Sequence, residues 1–567
     1  MKTKLKIVFI LIFLLAPPFV NADTLGQRVY FFIDSDYDLK GREQISATLI
    51  NISNQIYFYT DDDWWSSLIP TQQESINATF NNLSREFENK IYPTLTNTFG
   101  SEWKPGIDKD ERITILIHPM IEEAGGYFNT GDEYPKAQNP DSNEREMVYL
   151  NAQHIQKPNI KSFLAHEFQH LITFNQKEKT YGVSEEIWLN EARSEYAPTL
   201  LGYDDIYEGS NLQNRVKDFL SNPSDSLTEW KNQKADYGII NLFTQYLVDH
   251  YGIKILVDSL HSEKVGIPSI NYALKKNGLG EDFSLIFSQW TIAALVNDCS
   301  LGEKYCYLNP NLKDFRVTPQ VNFLPLVEES RLQITKATPN WAGNWQKIIG
   351  GKGTLTLEFD GADEVKFVVP YLVCNYQEKC TINLLTLDKY QKGKITLSEF
   401  NIKYTSLTII PSIQSKISGF NGFEFTYLFS WIASIVEKTP EEKEAELIKQ
   451  LLAQIEFLEK EIARLQAQIN AILAKKIGTC TFSSNLYYGM MNNSEVRCLQ
   501  EFLKSQGPEI YPEGLVTGNF LFLTKAAVIR FQEKYASKIL APIGLEKGTG
   551  FVGERTRAKI NAMISNY

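Results

Sequence analysis

Two histidines stand four residues apart in His166-Glu167-Phe168-Gln169-His170, with a glutamate directly after the first. On a helix that spacing puts both imidazoles on one face, on successive turns, where they can grip a single divalent ion. Glu167 then lies within reach of a water at that ion and is the natural general base for hydrolysis. Tetrahedral catalytic zinc takes three protein ligands and keeps a fourth position open. The third is expected from Trp188-Leu189-Asn190-Glu191-Ala192-Arg193-Ser194-Glu195-Tyr196-Ala197, a second helical pattern in which Glu191 is the ligand. Glu195, one turn on, can accept a hydrogen bond from the non-coordinating nitrogen of a zinc histidine and so fix its tautomer. Two imidazoles and one carboxylate suit zinc better than other first-row ions.

Other candidates follow from the same chemistry. A developing oxyanion needs a donor, and Tyr237 in Ala235-Asp236-Tyr237-Gly238 or His250 could supply it. Gly125-Gly126-Tyr127-Phe128 reads as a strand made flexible by its glycines, an edge to which an extended substrate can add. Asp108-Lys109-Asp110-Glu111 lacks the glycine and long loop of a calcium site and reads as a solvated turn. His118 and His154 have no partners at ligand spacing and read as ordinary hydrogen-bonded histidines.

Together, His166-Glu167-Phe168-Gln169-His170 and Trp188-Leu189-Asn190-Glu191-Ala192 resemble the gluzincin metallopeptidases, especially the hyicolysin and immune-inhibitor-like secreted bacterial families, over roughly residues 25–310. The resemblance implies a thermolysin-like α+β catalytic domain, a cleft between a mixed half and a helical half, and hydrolysis of peptide bonds by a zinc-activated water.

The elements that must position these residues can be read from periodicity. Residues 23–155 mix strands (Val29 to Ile33, Ile113 to Ile117, Met147 to Leu150) with a helical stretch from Asn77 to Ile91, and form the N-terminal half of the catalytic domain. Residues 156–330 are the helical half, with apolar residues three and four apart over Phe163 to Phe174, Glu186 to Tyr196, Ala235 to Tyr251 and Leu285 to Leu295. Alternation in 331–437 indicates a separate antiparallel, β-sandwich-like domain. In 438–476, Ile448, Ile455, Ile462 and Ile469 recur every seven residues, with Leu451, Leu458, Leu465 and Ile472 between them. That is the pattern of a parallel coiled-coil stalk that would pair two copies.

Residues 477–567 read as three short helices separated by glycine turns, around Val496-Arg497-Cys498-Leu499-Gln500-Glu501-Phe502-Leu503, Thr517-Gly518-Asn519-Phe520 and Phe531-Gln532. This segment resembles the peptidoglycan-binding-like module of exported bacterial proteins, with Leu521 and Asn493 where glycine is usual.

The 567-residue chain is too long for one core, and its net charge of −11 excludes a broad electrostatic grip on nucleic acid. Lys2, Lys4 and Lys6, an apolar run from Ile7 to Leu15 and Val20-Asn21-Ala22 read as a leader at 1–22. In an exported chain the six cysteines suggest three local disulfides, Cys299 with Cys306, Cys374 with Cys380 and Cys480 with Cys498. The expectation is a secreted or envelope-associated zinc endopeptidase acting on proteins or peptides. The rivals are an inactive wall-bound adhesive or scaffold and a peptidoglycan endopeptidase.

Overall fold

In Ile56-Tyr57-Phe58-Tyr59 and Ile113-Thr114-Ile115-Leu116-Ile117 nearly every side chain is apolar or aromatic, the pattern of strands covered on both faces. A computed structural model of the chain describes residues 22–565 apart from 327–328, 421, 437–439 and 478–479, so the expected leader, bar Ala22, lies outside the described residues. The chain is a multidomain mixed α/β protein that divides into two compact units, Met1–Glu437 and Lys438–Tyr567.

The first unit begins with a six-stranded sheet built from β1 (Arg28–Phe32), β2 (Gln44–Ile52), β3 (Ile56–Asp61), β4 (Ile113–His118), β5 (Gly126–Tyr127) and β6 (Met147–Asn151). Its order is β1-β2-β3-β4-β6-β5, parallel across β3, β4 and β6, with β5 an antiparallel edge. The two-residue side-chain period divides the central strands. Ile56, Phe58, Ile113, Ile115, Ile117, Val148 and Leu150 face a core of helices, whereas Tyr57, Tyr59, Leu116 and Tyr149 face Phe31, Ile45, Leu49 and Tyr127.

Helices α1 (Asp62–Ser67), α2 (Pro70–Glu86) and α3 (Tyr92–Phe99) follow β3, and a single π-helical segment over Phe87–Ile91 joins the last two. Helical structure here starts earlier and ends later than the apolar period of Asn77 to Ile91 indicates, because Pro70 is suited to a first turn and Gly100, at φ +94°, to the exit. Then come α4 (Ile160–Thr173), α5 (Ile187–Leu200), α6 (Asn211–Ser221), α7 (Lys234–Tyr251), α8 (Lys254–Leu260), α9 (Gly266–Lys276) and α10 (Phe283–Val296). Helix α4, which carries the histidine pair, is moored by Phe168, whose fully buried ring meets Phe87 edge-on at 4.8 Å and Tyr92 at 5.6 Å.

Residues 320–436 form a nine-stranded, mainly antiparallel sheet in which Lys392–Phe400, Gly353–Gly361, Tyr427–Val436 and Ser330–Thr338 lie as successive neighbours. It has a core of its own around Leu355, Leu357, Trp431 and Ile435. Yet Trp341, Trp345, Ile410 and Phe420 belong to the main core, and the Trp345 indole donates to Thr291 O at 2.9 Å. This sheet and the helical half are therefore parts of one compact unit.

In the second unit, α11 (Pro440–Ile477) is a 38-residue helix on which Ile448, Ile455, Ile469, Leu451 and Leu465 are each about half exposed. The side chain of Ile472 lies outside the described residues. Beyond it, α12 (Ser494–Ser505), α13 (Phe522–Lys534), α14 (Ala536–Ile539) and α15 (Glu554–Ile564) surround Leu499, Phe502, Phe531 and Ile560. Asn493 is explained locally: its side chain accepts from Val496 N at 3.0 Å and caps α12. Two buried glutamines do equivalent work, Gln500 bonding to Thr517 N, Gly518 N and Thr524 Oγ1, and Gln532 to Thr549 N, Gly550 N and Thr556 Oγ1.

All three expected disulfides are formed. Among the described residues no helix is long and apolar enough to cross a membrane.

Deleting the Phe168 ring leaves a cavity under α4 that its rigid neighbours cannot fill. Phe168→Ala should therefore cost about 3–5 kcal/mol, measured by urea unfolding of the metal-free chain, and a loss below about 1 kcal/mol would contradict this packing role.

Candidate active site

Helices α4 and α5 bring the expected ligands together. The donor atoms of His166, His170 and Glu191 lie within 4.8 Å of one another. The two Nε2 atoms are 3.2 Å apart, and the Glu191 oxygens lie 3.2 Å from His166 Nε2 and 3.5 Å from His170 Nε2.

Partners on the far side of each ring decide the tautomers. His166 Nδ1 faces Glu195 Oε1 at 3.3 Å and His170 Nδ1 faces Asn190 Oδ1 at 3.1 Å, so both Nδ1 atoms carry the proton and donate it. Each Nε2 is turned toward Glu191 instead. In the metal-free chain burial opposes charge on His166, but the carboxylates of Glu191 and Glu195 outweigh it and raise the imidazole well above its ordinary value. A proton held between Nε2 and Glu191 thus occupies the place that a divalent cation would take on displacing it. The residues present thus fit a divalent ion.

The structure places Glu195 beside His166 Nδ1, and several groups hold it there. Its carboxylate, 1% exposed, takes a bidentate pair from Arg215 at 2.7 and 2.8 Å, and further bonds from Asn211 at 3.0 Å and Asn241 at 3.2 Å. Burial opposes its ionisation, but Arg215 and His166 outweigh burial and hold the carboxyl well below its ordinary range. Asn211 and Arg215 stand one turn apart on α6, a spacing visible in the sequence but with nothing there to aim it at Glu195. Close approach of α6 to α7 makes the contact, and Gly238 permits it, since a Cβ at that position would lie 2.4 Å from Phe219 N.

The opposite face of α5 is fixed by a second buried ion pair. Arg193, fully buried, meets Glu185 at 2.9 Å and donates to Ser259 Oγ at 2.8 Å, with Lys177 3.6 Å from the same carboxylate.

A cleft of ≈ 1060 Å³ opens beside the cluster, lined from the sheet side by Tyr37, Gly125 and Gly126 and from the helical side by His166, Glu167 and Tyr237. Glu167, 5% exposed, projects into it, and burial, together with Glu191 and Glu195, pushes its carboxyl up to about 8 in the metal-free chain, against the pull of His166. The glycine of β5, Gly126, serves proximity. A Cβ on Gly126 would lie 2.5 Å from Tyr149 O and 3.2 Å from Glu167 Cγ, so only glycine lets this edge strand run so close to the base.

Tyr237 sits in the cleft wall, its hydroxyl donating to Asn232 Oδ1 at 3.1 Å and its ring 4.6 Å from the Arg215 guanidinium. The other candidate donor is overturned: His250 is at the far end of α7, bonded to Cys306 O at 2.8 Å, and does not line the cleft. His118 bonds Asp38 at 3.3 Å as an ordinary histidine, whereas His154 stacks on Phe163 and neither of its nitrogens has a protein partner. Asp108 and Asp110 accept backbone N–H groups within their own turn.

No protein-family model matches the chain. It is 28% identical to the neutral metalloprotease ShpI of Staphylococcus hyicus, over 29% of this chain and 41% of that protein. It thus spans about two fifths of that relative's length. Among solved structures, the Aeromonas hydrophila periplasmic lysozyme inhibitor PliG (10% identity, 21% of this chain and 98% of that one) has a TM-score of 0.14. A 4-O-methyl-alpha-glucuronidase (8% identity, 57% and 51%) has 0.11, and at such values no shared fold follows. The partial likeness to a neutral metalloprotease, with a His-His-Glu cluster able to hold an ion, supports a metallopeptidase.

If Arg215 is what keeps Glu195 ionised against His166, Arg215→Met should weaken zinc binding about 10–100-fold in a chelator competition. Arg215→Lys should recover only part of the loss, since an ammonium cannot span both carboxylate oxygens. Unchanged affinity in Arg215→Met would remove this role.

Proposed function

We propose that the chain is a secreted or cell-envelope-associated zinc endopeptidase of the gluzincin type, acting on proteins or peptides. One observation carries the reading: ligand atoms of His166, His170 and Glu191 converge within 4.8 Å of one another beside a buried glutamate on an open cleft. When bound there, zinc would act as a Lewis acid on the substrate carbonyl, lower the pKa of the attacking water and draw the Glu167 carboxyl back into its ionised form.

The protein's own groups do the rest. Glu167 takes the proton of the attacking water and returns it to the leaving amine. Glu195 and Asn190 hold the two imidazoles with their Nε2 atoms toward the ion. An extended peptide adds to the β5 edge through backbone hydrogen bonds, which brings its carbonyl alongside Glu167. The oxyanion that develops belongs to the phenol side of the cleft, which Tyr37 and Tyr237 line together.

An inactive scaffold has no use for a carboxylate buried next to two histidines, where it costs stability. The remaining segments support attachment: the apolar stripe of α11 suits a parallel coiled-coil dimer, and the exposed Tyr487, Tyr488 and Phe551 of the terminal module suit a glycan surface such as peptidoglycan.

Glu167→Gln should keep zinc, by metal analysis, and lose proteolysis of casein by roughly 10²–10⁴-fold; full activity with metal bound would end the proposal. Sedimentation of the full chain should give a dimer that Ile455→Lys with Ile462→Lys converts to monomer, and the chain should pellet with purified sacculi. A wild-type monomer would refute the stalk, and no enrichment over a control protein would refute the wall attachment.

A further inference from the structure

Tyr37, which follows β1, and Tyr237, on the first turn of α7, face the same cleft, and Asn232 joins them. The bonds in this bridge have directions. Tyr237 Oη donates to Asn232 Oδ1 at 3.1 Å, and Asn232 Nδ2 donates to Tyr37 Oη at 3.2 Å. The Tyr237 proton is therefore committed to the amide, while Tyr37 enters the bridge as an acceptor and its own O–H remains to be given to something else.

Everything around Tyr37 fixes that O–H in place. Its ring lies parallel to Tyr127 of the edge strand at 4.8 Å, and Tyr127 lies on Tyr149 at 4.1 Å. Burial keeps the Tyr37 phenol protonated, the charges of Glu191 and Glu167 add to the effect, and Glu167 lines the same cleft. Asn232 is held at φ +54°, in the left-handed region that asparagine tolerates better than most residues. The turn is locked by buried Asp236, which accepts from Lys231 N at 2.9 Å and Gln233 N at 2.8 Å. Strained backbone of this kind, next to a site, is kept where a side chain must be aimed.

Resting on the peptidase reading above, we propose that Tyr37 is a catalytic residue, donating a hydrogen bond to the carbonyl oxygen as it gains charge. Asn232 is the positioning residue that presents it, and Tyr237 is the anchor of the bridge rather than the donor. The phenol keeps its proton throughout; only the hydrogen bond strengthens as the oxygen becomes an oxyanion. Donors of this sort act on kcat, because they are stronger in the transition state than in the bound substrate.

The test uses the zinc-loaded full chain and the variants Tyr37→Phe, Tyr237→Phe, Asn232→Ala and the double variant Tyr37→Phe/Asn232→Ala. Its readouts are zinc content, kcat and KM on an internally quenched peptide, and calorimetric Kd values for a phosphinic peptide, a tetrahedral anion, and for a product peptide. Tyr37→Phe should retain zinc and lower kcat about 100-fold with KM within about threefold. Its phosphinic-peptide affinity should fall by a similar factor while product affinity stays unchanged. Asn232→Ala should move in the same direction and add nothing to Tyr37→Phe in the double variant. Tyr237→Phe should cost less than about fivefold, since it removes an anchor and no direct contact.

If Tyr37→Phe leaves both kcat and phosphinic-peptide affinity within about twofold of wild type, or if Tyr237→Phe carries the large loss, the assignment is wrong. The peptidase reading stands or falls separately, on Glu167→Gln: an inactive Glu167→Gln with a normal Tyr37→Phe overturns this inference alone.

Discussion

Two imidazole nitrogens and a carboxylate are held together in a volume that fits one cation, and the rest of the first unit makes that arrangement possible. Helix α5 has to present Glu191 and Glu195 to α4 without rotating, and its two flanks are tied by opposite means. On one, Glu195 is clamped by Arg215, Asn211 and Asn241; on the other, Arg193 is sealed against Glu185 and Ser259. Buried ion pairs contribute little net stability, yet leaving one partner unpaired is expensive. The value of these pairs is therefore geometric: any rotation of α5 would strand Arg193 or Glu195 in the interior.

How much of this was legible in the sequence depended on range. His166, Glu167 and His170 are fixed by the pitch of one helix, and Glu191 and Glu195 by the pitch of another, so both sets could be read locally. The disulfides were legible for the same reason, each pair being close along the chain. Arg215 and Asn241 were not, because their partnership with Glu195 depends on how α5, α6 and α7 cross, and Gly238 gives no hint that it admits the backbone of Phe219. Tyr37 carried no signal at all, and His250 misled because apolar periodicity finds a helix without saying which end reaches a cleft. The glycines at and before β5 answer to close packing that the sequence does not display, Gly126 to Tyr149 and Glu167 and Gly125 to Phe163.

Outside the cleft the same contrast recurs. The seven-residue period of α11 was plain from side chains alone, since an exposed helix keeps its pattern undisturbed by neighbours. The paired glutamines of the terminal unit were less visible, although Gln500 and Gln532 each bond to partners 17, 18 and 24 residues further on. A buried amide that satisfies two turn N–H groups and a threonine hydroxyl fixes the turn to the helix, and its repetition makes the two turns equivalent. Polar anchors of this kind escape a reading built on apolar periodicity, which treats glutamine as surface.

The two kinds of contact around the cleft differ in how easily they open. Bonds to Glu195 and Arg193 are buried, while those linking Asn232 to Tyr37 and Tyr237 are exposed, and Asn232 belongs to a short turn before α7. Exposed hydrogen bonds on a turn open at a small fraction of the global unfolding free energy, whereas bonds inside a packed core open only with the core. Asn232 comes from the helical side and Tyr37 from the sheet side, so their bond spans the mouth of the cleft. The scaffold thus holds its ligand set, on α4 and α5, through buried contacts, and joins the two walls of the cleft through exposed ones.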